Sequence, residues 1–194
     1  MSDTDPLSQS YSLLSVARSS LEIATEALAL FQERQPAIVE LPADHGHVIE
    51  GRKVEWSRDS VEQRRGIIGA LAFQSSLVMV SKCVERLTRV KDQPAHIVER
   101  ARQALETINS VVDRQARNTS EHLDERAIRS GDQSLIANTI FEGDLFCSTR
   151  ADGTLGAIAV TQATLKLVAE TLDGIFWTPE QIEKLQQRHG YQDK

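Results

Sequence analysis

Cysteine is nearly absent from this chain. Two occur in 194 residues, Cys83 and Cys147, too few for a disulfide scaffold and without the paired spacing of a thiolate metal site. Reduced thiols are the expectation. Long apolar runs are missing as well: GIIGALAF and LVMV are separated by Gln74, Ser75 and Ser76 and fall short of the roughly 20 residues that span a bilayer. The N-terminal MSDTDPLSQS has neither the basic start nor the apolar centre of a secretory signal, so a cytoplasmic setting without membrane association is expected. Positive charge is in deficit. With 22 Lys and Arg against 28 Asp and Glu the net charge is -6, which argues against a general nucleic-acid binder unless a local patch overrides the long-range repulsion. There is no phosphate-cradling glycine loop, because Gly66 and Gly69 fall inside a helical pattern. Ser75, Ser76 and His96 make no hydrolytic triad. Nor is there an internal repeat, a low-complexity tract or a linker long enough to divide two domains.

What is present is ordinary globular material, 40% hydrophobic and 26% charged, enough for one domain over 1–194 with its own core. From Ser8 or Ser10, the apolar positions Leu13, Leu14, Ala17, Leu21, Ala24, Leu28 and Phe31 recur every three or four residues and predict a helix that Pro36 terminates. Ser57, Asp59 or Ser60 can cap a second helix, with Ser60 and Gln63 in capping-box spacing. That helix runs to about Val90. Its centre is apolar or small on nearly all sides, so it is expected to cross the core, with Gly66 and Gly69 permitting close approach of a neighbour. From Ser57 to Lys91 there are seven basic and three acidic residues, a local excess of positive charge. Pro94 suits the start of a third helix, marked by Ile97, Ala101, Leu105, Ile108, Val111 and Val112. No Pro or Gly interrupts it before Gly131, so it can continue that far.

Two segments depart from helical spacing. Residues 37–56 alternate β-prone runs with Pro42, Gly46 and Gly51, predicting a hairpin or irregular excursion. NTIFEGDLFCSTRADGTLGAIAV shifts to period two, and its ADG lies between two strand-like runs, predicting a second hairpin. Helical spacing returns through Leu165, Leu167, Val168 and Leu172, and TPEQ offers a cap and a first-turn proline for a last short helix. The fold class is therefore mainly α, a helical bundle with long core helices and two small β-hairpin excursions.

The sharpest signal is RNTSEH, residues 117–122, inside the polar end of the third helical pattern. At about 100° per residue, Asn118 and His122 are nearly in line, whereas Arg117 and His122 are about 140° apart. A single helix does not aim the Arg and His at one point. Two copies meeting around a two-fold axis bring the same patch together from both chains, which makes the spacing half of a composite site. Such a pairing suits RNA cleavage. An imidazole exchanges protons near neutral pH, a guanidinium holds the scissile phosphate, and the attacking 2′-hydroxyl belongs to the RNA. Asn118, one turn before His122, is placed to orient it or to contact the phosphate.

RNTSEHLDER, with R-x4-H and a polar residue directly after the Arg, resembles the signature of the HEPN (higher eukaryote and prokaryote nucleotide-binding) superfamily. The resemblance implies a helical bundle with the motif on a late core helix and an active site formed between two protomers. It further implies a metal-independent endoribonuclease without cofactor, often a toxin or an antiviral factor, in which Arg117 and His122 are catalytic, Asn118 is the polar companion and Glu121 a supporting position. The partners it implies are a second copy, an RNA substrate and an antitoxin or nucleotidyltransferase. The two β excursions and the acidic total depart from compact members of that family.

A different class of function fits the same residues. RNTSEHLDER also reads as a solvated face with i to i+4 pairs such as Arg117 with Glu121, leaving a non-catalytic helical module that binds a partner protein. Between Pro94 and Gly131 basic and acidic residues number six each, so any basic surface has to borrow from the second helix. Asp44, His45 and His47 bring two imidazoles and a carboxylate together, but no second cluster completes a metal site. Trp56 and Trp177 suit core or interface anchoring.

Overall fold

The computed structural model describes residues 6–33, 48–49, 52–53, 60–114, 139–141, 144–149 and 154–176. Among them, four helices and five short strands follow in the order α1 (Pro6–Gln32), β1 (Val48–Ile49), β2 (Arg52–Lys53), α2 (Ser60–Leu87), α3 (Ala95–Val111), β3 (Thr139–Phe141), β4 (Leu145–Thr149), β5 (Leu155–Ala159) and α4 (Gln162–Asp173). The fold is mainly α with two small antiparallel β elements, the architecture that the alternating periodicities call for.

The two longest helices, α1 and α2, form an antiparallel pair. At one end the backbone of Ala27 and Phe31 lies against Gly69, so closely that a Cβ there would stand 2.7 Å from the Phe31 nitrogen and 2.8 Å from the Ala27 oxygen. Past the other end, Ser10 Oγ donates to Gln93 Oε1. The seam between them is filled by Ala17, Ala24, Ala27, Leu28 and Phe31 of α1 with Phe73, Leu77, Val80 and Val84 of α2, all buried. Small residues on α1 bring the axes close, and the glycine on α2 serves the same purpose. This is the close approach expected of Gly69.

Helix α2 is long and apolar enough over Arg64–Leu87 to cross a membrane by length and composition, but 61% of its most apolar stretch is buried inside the fold. It is the central core helix. Reading the apolar letters as separate short runs understates it, because Gln74, Ser76 and Ser81 interrupt the run in sequence yet are themselves buried.

Helix α3 begins after Pro94, whose carbonyl accepts from the amides of Ile97 and Val98, and it buries Ile97, Ala101, Ala104 and Ile108. Its end departs from expectation. The helix stops at Val111 instead of running on toward Gly131, and Val112 adopts extended backbone at φ -118° and ψ 110°. No helix breaker occupies the position. Instead two consecutive β-branched residues weaken the helix, Val112 is buried in the core, and Gln74 Nε2 donates to the Asp113 carbonyl at 3.4 Å. The backbone is helical again at Arg114.

The second β element holds three strands rather than two. β3 pairs antiparallel with β4 and β4 with β5, with Phe146 opposite Ile140 on one side and Ile158 on the other. Sequence reading takes NTIFEGDLFCST as one run. It is divided near Asp144, which adopts a left-handed φ of 62°, a conformation that aspartate tolerates better than most residues. Gly156, Ile158 and Val160 are buried at period two, which turns this face of the sheet onto the helices. The first element is a minimal ladder, Val48 opposite Lys53 and Ile49 opposite Arg52.

Helix α4 is capped by Thr161, whose side chain accepts from the Thr164 amide at 3.2 Å, and it buries Thr164, Leu165, Val168 and Leu172 against α1 and α3. The short helix expected from TPEQ lies outside the described residues.

Candidate functional site

Arg117, Asn118, Glu121 and His122 lie outside the described residues, as do Asp44, His45, His47, Trp56 and Trp177. The structure does describe the junction from which the motif segment departs, residues 109–114 at the end of α3. Three polar contacts tie that junction to α2. Ser81 Oγ donates to Asn109 Oδ1 at 2.7 Å, the Gln74 amide reaches the Asp113 carbonyl, and Arg114 Nη1 donates to Glu85 Oε2 at 2.8 Å.

Sequence reading missed these three α2 residues, although the signal is present. Gln74, Ser81 and Glu85 recur seven and four positions apart in an otherwise apolar helix, which places them on one face. That stripe is the side of α2 that receives α3. A polar line on a core helix needs partners because an unpaired buried polar group is costly, and α3 supplies them. Gln74 is only partly satisfied, its Oε1 being buried without a hydrogen-bond partner.

Glu85 is the electrostatic centre of the junction. It accepts from Arg114 through one oxygen and from Arg89, four residues on and just past the end of α2, through the other. The hydrogen bond and charge of Arg114 hold its carboxyl below the ordinary range, against a small opposing effect of burial, with Arg89 and Arg86 adding to the lowering. Three guanidiniums thus act on the Glu85 carboxylate, and with Asp113 beside Arg114 the junction keeps an excess of one positive charge in a chain of net charge -6. Arg86 and Arg89 are exposed. A cavity of about 400 Å³ opens beside the junction, lined by residues 109–114 and by Ala157 of β5.

The remaining chemistry is sparse. Burial pushes the Cys83 thiol up, more than Arg86 lowers it, so it is a poor nucleophile at neutral pH. Cys147 is fully buried. Neither forms a disulfide among the described residues. His96 is exposed in the first turn of α3, while Ser76 is buried in the core. Among the described residues no three His, Cys, Asp or Glu side chains group closely enough to hold a metal ion.

No family model, curated protein or solved structure matches this chain.

Proposed function

We propose that this protein is a metal-independent endoribonuclease whose site is completed by a second copy of the chain. In this reading Arg117 holds the scissile phosphate and the negative charge that develops on it, and His122 transfers the proton. Asn118 orients the imidazole and Glu121 supports the site. The RNA supplies its own 2′-hydroxyl as nucleophile, which confines the activity to RNA.

The observation that carries the proposal is the R-x4-H pattern of RNTSEH, three residues beyond a junction at Arg114 that is tied to the core. Electrostatics supports it. Arg86, Arg89 and Arg114 outnumber the carboxylates of Glu85 and Asp113 beside them, adding cations from α2 and the residues just past it to those of the motif segment, and phosphate contacts depend on such cations. The setting is cytoplasmic, and a toxin or antiviral role held in check by an antitoxin or nucleotidyltransferase partner belongs to the same proposal.

Purified protein incubated with RNA in excess EDTA is expected to cleave it, and Arg117→Ala or His122→Ala to lower the rate at least about 100-fold, the scale of a lost acid–base or charge-stabilising group. Circular dichroism should be unchanged in both variants. A folded wild-type protein that leaves RNA intact overturns the proposal and favours a non-catalytic interaction module, a reading that the exposed apolar residues on α1 and α2 also suit.

A further inference from the structure

The outer face of the α1–α2 pair carries apolar side chains that nothing among the described residues covers. Val16 and Ile23 of α1 are 47% and 57% exposed, and Ile68 and Met79 of α2 are 56% and 41% exposed. Ala72, between the last two, is half-buried. Isolated exposed apolar residues are ordinary on a protein surface. These are not isolated: at 100° per residue, Val16 aligns with Ile23 and Ile68 with Ala72 and Met79.

Both stripes open to the same side. Helix α3 docks on the Gln74, Ser81 and Glu85 face of α2, and α4 docks on α1 beside Leu14 and Arg18, the latter paired with Asp173 at 3.4 Å. With the two long helices antiparallel, the wheel positions place α3 and α4 beneath the pair and the two stripes above it.

We infer that this face is covered by a second copy of the chain, with α1 of each copy lying over α2 of the other about a two-fold axis parallel to the helices. Size supports a second copy. Helices of 27 and 28 residues are each about 40 Å long. Two of them side by side at about 10 Å spacing offer roughly 800 Å², what each partner buries in a standard interface.

Register and charge select the arrangement. Because Phe31 is level with Gly69 and Ser10 reaches Gln93, Ile23 is level with Leu77 and Val16 with Val84. Met79 of the partner therefore seats between Val16 and Ile23. At the same end as Gly69, Glu33, with Glu26 two turns behind it, meets Arg64 and Arg65 of the other chain. None of these four is in an ion pair among the described residues. The other two-fold, perpendicular to the helices, lays α2 on α2 and brings Arg64 toward Lys82 and Arg86, cation against cation. The isologous α1-on-α2 contact is the one with opposite charges.

The interface stands on the face itself and is independent of a two-copy ribonuclease site, because α3, from whose end the RNTSEH segment departs, docks on the opposite side of the α1–α2 pair. Its test is solution mass by light scattering and analytical ultracentrifugation of the full chain. The wild type is expected to be a dimer. Ile23→Glu and Ile68→Glu should each weaken dimerisation by about 100-fold or more, as loss of a central apolar contact does, with helicity unchanged. Glu33→Arg should weaken it too, and combining Glu33→Arg with Arg64→Glu and Arg65→Glu should restore it. A monomeric wild type, or a dimer indifferent to all of these changes, overturns the inference. So does a monomer that binds lipid vesicles through Ile68 and Met79. An inert dimer that responds to the face variants upholds the interface while the ribonuclease reading fails. Monomeric variants that still cut RNA uphold it too, while removing the two-copy requirement.

Discussion

Arg114 donates to Glu85 at 2.8 Å across 29 positions of sequence, joining the first residue after the break in α3 to the last turns of α2. The carboxylate is about a quarter exposed and the guanidinium about a third, so solvent screens the pair and its contribution is on the order of 0.5–1 kcal/mol. Its consequence is directional. The pair anchors the start of the segment that carries Arg117 and His122.

The pH dependence follows from the lowered carboxyl of Glu85. A group whose folded-state pKa lies below its unfolded value contributes fully above the ordinary Glu value of 4.5 and loses that contribution as the pH falls through the depressed value. Glu85→Gln is therefore expected to cost up to about 1 kcal/mol at neutral pH and progressively less in acid. Denaturant unfolding at neutral and acidic pH measures this. Equal losses at both would show that the ion pair is not the source.

Gly69→Ala sets two effects against each other. Alanine favours the helix by about 1 kcal/mol, but its methyl would meet the Phe31 nitrogen and the Ala27 oxygen at 2.7 and 2.8 Å. These are backbone atoms of α1, which cannot rotate aside, and overpacking of this kind costs about 1–3 kcal/mol. A net loss of up to about 2 kcal/mol is expected, read as a lower thermal midpoint. A raised midpoint would mean that the helices are farther apart.

The cap of α4 offers a smaller and cleaner effect. Thr161 accepts from the Thr164 amide and shares a hydroxyl contact with the Thr164 side chain at 3.0 Å. Thr161→Ala should cost about 1 kcal/mol, whereas Thr161→Ser should cost only a few tenths because it keeps the acceptor. Chemical denaturation of the two variants side by side decides it.

Much of the architecture is legible in the residues. The spacing from Leu13 to Phe31 and from Ile97 to Ile108 marks α1 and α3, Pro94 marks where α3 starts, and ADG lies between β4 and β5. Thr161 was legible only as the start of a returning helical pattern. RNTSEH was legible as a motif, a matter of residue types and spacing, and its placement lies outside the described residues.

What the sequence by itself determined is where helices and strands are favoured and which of their faces are apolar, because periodicity and capping act between near neighbours. Tertiary structure decided the rest. It ended α3 at Val111, where local rules permit a longer helix, because burying Val112 and engaging the Asp113 carbonyl with Gln74 outweighs one more helical turn. It divided one apparent strand into β3 and β4 near Asp144. It assigned the Gln74, Ser81 and Glu85 stripe to α3. By placing α3 and α4 on the same side of the α1–α2 pair, it left the opposite side open, since which apolar face is covered depends on elements distant in the chain.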